Sequence, residues 1–245
     1  MISKENHPPL NIFLCETDST MREVEQLWSM GIDADVSIRS GFQYLGQGRE
    51  DHLWSSPWGG LWFSLGIRNL PSYPAMALWI GAIVHQRLCS LFPLLRDQLM
   101  IKWTNDIYYG NAKLGGILIK HYPQSGAYNI GIGLNLNNLS ISQNEQFRAI
   151  SLSEILDFEV DLDWLHRFLC LAIYRELSSQ TTHHDFISYC NEYLYLKGKK
   201  VSVEAWGSKH TGVLKYITET GSVLLEDIDN NLVDISLGTM RELFS

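Results

Sequence analysis

Two stretches of this 245-residue chain put cations, carboxylates and amides at short spacing. Lys102 and Lys113 flank the turn pair Gly110-Asn111, with Asn105 and Asp106 between them. If the strand through Lys102 is regular, Lys102, Thr104 and Asp106 face one side, because side chains alternate with period two. A cation, a hydroxyl and a carboxylate then share that face. Behind Lys113, Gly115 and Gly116 have no side chains to hold a ligand away from the backbone. Upstream, Gly46, Gly48 and Arg49 form a GxGR run, in which glycines bring backbone N–H groups close to an anion and the arginine neutralises it. Asn135, in GIGLNLN, ends a strand whose glycines permit the same close approach. Each has a plain structural alternative: a hairpin loop for GxGR, solvated surface for either lysine, a strand-end cap for Asn135.

Other chemistry finds less support. Cys170 follows His166 by one helical turn, but both lie in an apolar helix that favours a buried structural thiol over a nucleophile. Cys15, Cys89, Cys170 and Cys190 contain no CxxC pair, so reduced thiols are expected. His183-His184 has no suitably spaced carboxylate or cysteine partner for a metal, and is assigned to a helix start.

The elements that must position these residues follow from periodicity. NIFLCET reads as a strand, Asp18-Ser19-Thr20 as the N-cap of a helix through MREVEQLWSM, and DADVSIRS as a strand entering the Gly-rich loop. LWFSLGI continues as a strand, and Pro74 opens a largely buried helix. Residues 99–122 read as two strands joined at Gly110-Asn111, and AYNIGIGLNLNN as a third. Ser151 to Glu154 has capping-box spacing, and helices are expected over Asp163–Ser179 and Asp185–Leu196. From Gly198 onward, four short strands separated by turn residues suit a small barrel. A formal charge of -8 argues against bulk attraction to nucleic acid or anionic lipid. No apolar leader or membrane span is apparent, so a cytoplasmic protein is expected.

Taken in order, Asp18-Ser19-Thr20, FQYLGQGR with WSSPWGG, KWTNDIYYGNAKLGGIL, GIGLNLN and the β-rich tail resemble the biotin protein ligases. The family pattern runs through DSTN, Q-x-x-G-R-G-R with W-x-S-P-x-G, K-W-P-N-D, K-x-x-G-I-L and G-x-G-x-N. The resemblance implies an α+β fold, with a mixed central sheet and flanking helices over residues 1–196 and an SH3-like barrel over 197–245. It implies an enzyme that couples biotin to ATP with Mg²⁺, releases pyrophosphate, and transfers the biotinyl group to a lysine of a biotin carboxyl carrier domain, most simply that of acetyl-CoA carboxylase. Ser19, Thr20, Gln43, Gln47, Gly48, Arg49, Lys113, Gly115 and Gly116 are then expected at biotin. Arg49, Trp54, Lys102, Asn105 and Asn135 are expected at ATP, and Asn105 and Asp106 at Mg²⁺. Lys113, Lys102, Arg49 and Asp106 are the expected catalytic set. Ten residues before the first catalytic strand leave no room for the DNA-binding domain of the repressor members, so no nucleic-acid partner is expected, and the resemblance allows a monomer or a homodimer. A lipoate or octanoate ligase or transferase of the same architecture, or a noncatalytic binding protein, are the alternatives.

The chain departs from the family at informative places. The loop reads Gly46-Gln47-Gly48-Arg49-Glu50-Asp51-His52 where GRGRRGR is common, Met21 replaces asparagine, Thr104 replaces proline, and Lys120 stands where many members have glutamate. Glu50 and Asp51 oppose an anionic ligand, so the loop is expected to hold an adenylate less tightly. Replacing both with arginine is predicted to slow release of biotinyl-adenylate, measured by chase of a labelled intermediate; an unchanged release rate would contradict this.

Overall fold

The computed structural model describes residues 8–50, 52–139, 148–179 and 185–243. The elements run β1 (Leu10–Thr17), α1 (Thr20–Ser29), β2 (Val36–Gln43), β3 (Leu61–Ile67), α2 (Met76–Leu91), a 3₁₀ turn at Pro93–Leu95, β4 (Leu99–Lys102), β5 (Asp106–Tyr109), β6 (Ala112–Tyr122) and β7 (Ala127–Leu134). There follow α3 (Leu152–Leu156), α4 (Leu162–Ser178), α5 (Asp185–Glu192), β8 (Lys200–Ala205), β9 (Ser208–Ile217), β10 (Val223–Glu226), β11 (Leu232–Ile235) and β12 (Thr239–Glu242). They divide into two compact units, residues 1–72 with 111–180 and residues 73–110 with 181–245.

In the first unit the strand order β1-β2-β3-β7-β6 is mixed: β1 runs parallel to β2, and the other pairs are antiparallel. All seven residues of β3 are buried, as befits a central strand covered on both faces. Alternation along β2 explains the cover. Val36 and Ile38 join Val24 of α1 in one apolar cluster, whereas Ser37 and Arg39 point the other way and meet His166 and Asp163 of α4. The helices begin where their caps dictate. Ser151 and Glu154 form the expected capping box for α3, and Asp161 accepts from the backbone N–H groups of Asp163 and Trp164 to start α4.

In the second unit, α2 is buried over most of its length and stacks Trp79 on Phe186 of α5. His85 is held between Tyr189 Oη and the Leu99 carbonyl, both at 2.8 Å. Strands β4 and β5 form a hairpin, and β8 to β12 form an antiparallel sheet in the order β11-β10-β9-β8-β12. The α+β class, with a mixed sheet and a five-stranded C-terminal sheet of SH3-like character, is the one anticipated.

Three local expectations need correction. Residues 99–122 hold three strands, since the chain turns at Trp103–Asn105 as well as at Gly110-Asn111. Lys102 is therefore paired across the hairpin with Asp106, while Thr104 lies in the turn instead of on a common strand face. The fifth C-terminal strand, β12, has only Met240 buried and so carries little apolar signal. All four cysteines are free, and burial raises the Cys170 thiol, which disfavours the nucleophilic thiolate. His183-His184 lies outside the described residues. Among the described residues, no helix is long and apolar enough to cross a membrane.

His166 gives the first unit a pH dependence. Burial, reinforced by the nearby Arg39 charge, lowers its pKa to about 4, against 6.5 for the free imidazole. The folded protein holds it neutral, so its contribution is complete above pH 6.5 and is lost as the pH falls from 6.5 towards 4. The full span is worth about 3 kcal/mol. Denaturant titrations are predicted to show wild-type stability falling across this window more steeply than that of His166→Gln; parallel curves would contradict the assignment.

Candidate functional site

Strand β2 ends at Gln43, whose side-chain amide is engaged at both ends. Its Oε1 accepts from Thr20 N at 2.8 Å and from Thr20 Oγ1 at 3.1 Å, and its Nε2 donates to Ser56 Oγ at 2.7 Å. The Gln43 backbone N–H also donates to the Ser56 carbonyl at 3.1 Å. Because the Thr20 hydroxyl donates to Gln43, Ser64 Oγ on β3, 2.8 Å away, supplies the proton for its second hydrogen bond. One amide thus joins the start of α1, the end of β2 and the return of the Gly-rich loop.

Ser19 is the N-cap of α1, with extended backbone and no side-chain capping bond. Its hydroxyl is buried without a hydrogen-bond partner among the described residues, and so is the Trp54 indole N–H. Each such group costs about 1–3 kcal/mol in a folded protein unless something pairs with it. Two of them in one constellation mark a place prepared for polar contact.

The Gly-rich loop is a narrow hairpin. Trp54 N donates to Gly46 O at 2.8 Å, Gln47 bridges Leu53, and Gly48 N donates to His52 O at 2.7 Å. Gly46 is required here, since a Cβ would lie 2.3 Å from the Trp54 carbonyl oxygen. At the tip, the Arg49 guanidinium lies 3.4 Å from its neighbour's carboxylate, Glu50, so part of its charge is already opposed. Asp51 lies outside the described residues.

Lys113 leaves β6 next to residues 148–150: its N–H donates to Arg148 O at 2.8 Å and its carbonyl accepts from Ile150 N at 3.0 Å. Its ammonium sits 4.8 Å from the centroid of the Trp54 ring, a cation–π distance. Trp54 in turn lies on Gly133, where a Cβ would come within 2.7 Å of the indole nitrogen. Ser56 Oγ is 3.2 Å from the Trp54 carbonyl, which links this group to the Gln43 network. Asn135 is beside it, donating from Nδ2 to Lys113 O at 3.4 Å and accepting at Oδ1 from Asn138 at 3.2 Å. Gly116 pairs in register with Gly133. A Cβ at Gly115 would meet Leu134 Cδ2 at 2.4 Å, so packing within the sheet already demands that glycine.

The first unit therefore gathers Ser19, Thr20, Gln43, Gln47, Gly48, Arg49, Trp54, Lys113, Gly115, Gly116 and Asn135 on connected elements. Lys102, Asn105 and Asp106 belong to the β4–β5 hairpin of the second unit. There Lys102 Nζ donates to Tyr108 Oη at 3.1 Å and lies 4.6 Å from that ring's centroid, and Thr104 Oγ1 donates to Asn105 Oδ1 at 3.0 Å. Burial first and the Asp106 charge second raise the Tyr108 pKa, so that phenol stays protonated.

Ser64 carries no motif-level signal, and only strand register brings it to Thr20; Gly133, the second glycine of GIGLNLN, gives close approach to the Trp54 indole. Two departures are locally explained. Met21 is buried against Gly131, and Lys120 forms a 2.9 Å ion pair with Glu25 of α1.

Residues 18–137 match the biotin/lipoate A/B protein ligase family. The biotin–[acetyl-CoA-carboxylase] ligase of Paracoccus denitrificans is 30% identical over 130 residues, covering 50% of this chain and 53% of that protein. The bifunctional ligase/repressor BirA of Escherichia coli is 31% identical over 98 residues, 39% of this chain and 30% of that one. Across these and similar curated relatives the matched stretch spans 27% to 53% of the relative's own length. The biotin protein ligase of Aquifex aeolicus in complex with biotin and ATP superposes with a TM-score of 0.83 at 24% identity, covering 96% of this chain and 99% of that one. The Leishmania major biotin protein ligase with biotinyl-5-AMP gives 0.71 at 21% identity, covering 94% and 100%. The resemblance in motifs, the match over residues 18–137 and the shared fold agree: this chain carries a domain of the biotin/lipoate A/B protein ligase family.

Proposed function

We propose that the protein is an ATP-dependent biotin ligase, which activates biotin as biotinyl-5'-AMP and transfers it to one lysine of a biotin carboxyl carrier domain, most simply that of acetyl-CoA carboxylase in the cytoplasm. The observation that carries this reading is the braced start of α1, where the buried Ser19 hydroxyl stands beside the Thr20–Gln43–Ser56 network with Lys113 on the adjoining Trp54. The names of the relatives and of the ligand-bound neighbours support biotin as the acid. In the same reading, residues 197–245 are a separate SH3-like domain.

In the first step a biotin carboxylate oxygen attacks the α-phosphorus of ATP, the bond to pyrophosphate breaks, and negative charge builds on the phosphoryl oxygens. Lys113 and Arg49 of the first unit supply cations that stabilise this meeting of anions. Ser19, Thr20, Gln43, Gln47 and Gly48 hold biotin, and Trp54 and Asn135 border the nucleotide. Asp106 and Asn105 offer a carboxylate and an amide oxygen, a hard donor pair that would hold Mg²⁺. When bound, the ion neutralises triphosphate charge. In the second step the carrier's amine attacks the acyl carbon, an amide forms, AMP departs with the anhydride oxygen, and the amine's proton passes to a general base.

The hairpin from Gly46 to Trp54 closes over the adenylate and keeps water from it. The Arg49–Glu50 pairing weakens the hold of its tip on phosphate.

ATP–pyrophosphate exchange with biotin, lipoate or octanoate supplied separately tests the reading: exchange with biotin alone is expected, and its absence with biotin would overturn it. Lys113→Met is predicted to lower biotin-dependent exchange by about 10²–10³-fold, the loss typical of one charge-stabilising group, with the denaturation midpoint little changed.

A further inference from the structure

An aromatic ledge faces solvent at the foot of the Gly-rich hairpin. Phe42 lies between Tyr44 and Trp58, at ring-centroid distances of 5.0 and 6.3 Å. Tyr44 is 60% exposed and Trp58 54% exposed, so neither ring contributes much to the core. Both are nonetheless held. A Cβ at Gly41 would lie 2.1 Å from the Trp58 ring, so the indole occupies the space that a side chain at position 41 would take. Tyr44 donates its hydroxyl to the Glu16 carboxylate, and its backbone N–H bonds to Thr17 O at 3.0 Å. Leu45 N bonds to Asp18 O at 2.8 Å, which seats the ledge against the turn that carries Ser19 and Thr20.

Rigid, exposed aromatic rings are the side chains that anchor protein interfaces, because little freedom remains to be lost when a partner covers them. Glu16 and Asp18 add exposed carboxylates at the margin, Asp18 lying 3.6 Å from Arg22 and Glu16 accepting from Tyr44. A surface of fixed rings edged by acid complements a protein segment whose central residue is a lysine.

Building on the biotin ligase reading, we propose that Phe42, Tyr44 and Trp58, with the carboxylates of Glu16 and Asp18, form the docking surface for the carrier domain that presents the acceptor lysine. The placement serves the second half-reaction alone. The ledge is tied to the turn that precedes α1, next to Ser19 and Thr20, where a docked segment would bring its amine close to the proposed biotin site.

The test separates the two half-reactions in the full-length protein. Trp58→Ala and Tyr44→Ala are assayed for biotin-dependent ATP–pyrophosphate exchange, for biotinyl transfer to hydroxylamine, and for transfer to a purified biotin carboxyl carrier domain. The expected result is a rise of tenfold or more in KM for the carrier in each variant, with exchange and hydroxylamine transfer within twofold of wild type. Unchanged carrier kinetics alongside normal exchange would overturn the docking surface and leave the ligase reading intact. Equal loss in all three assays would also overturn it, by assigning the rings to the adenylating site. A wild-type protein without biotin-dependent exchange would overturn the ligase reading, and the docking surface with it.

Discussion

The amide of Gln43 is the constraint on which the first unit's site depends. It accepts twice from Thr20 and donates once to Ser56, so two segments that lie 23 and 13 residues from it in sequence are locked to one planar group. A half-buried amide bonded through both its oxygen and its nitrogen is held in one orientation, and it restrains the groups it pairs. Beside this braced group the Ser19 hydroxyl makes no capping bond to its own helix and is buried without a partner among the described residues, a polar group that a ligand can satisfy.

The Lys113 side chain shows the same economy on the other side of the network. The Trp54 ring beneath it packs against Gly133, and Gly133 faces Gly116 across the β6–β7 pair. Glycines in this sheet therefore act in two ways: Gly115 accommodates Leu134, and Gly133 accommodates an aromatic platform for a cation. Neither exposes the backbone simply by lacking a side chain, since in each case another residue fills the space.

How much of this was legible from sequence depended on the range of the interaction. The α3 capping box and the cap of α4 are local patterns of side chain and backbone, and α3 began where Ser151 indicated. The turn at Trp103–Asn105 was hidden because it contains no glycine or proline, so the apolar run on either side read as one strand. β12 is four residues long with one buried side chain, too little for alternation to register. Within the site, Ser19, Gln43 and Lys113 were found because ordered motifs mark them. Ser64 was not, because its contact with Thr20 spans 44 residues and exists only once β3 has taken its register beside β2. The environment of Arg49 was half legible: the adjacent acid is plain in the sequence, but the ion pair with Glu50 needed coordinates.

The hairpin over residues 46–54 has a consequence for how such a protein can diverge. Beyond the Gln47–Leu53 contact the hairpin is closed by Gly48 N to His52 O at 2.7 Å, and at its tip Arg49 pairs with the exposed Glu50. Exchange of an exposed side chain there alters the local field at small cost to the fold. A lineage can therefore retune how long it retains a charged intermediate by exchanging a few tip residues, with no compensating change elsewhere in the chain.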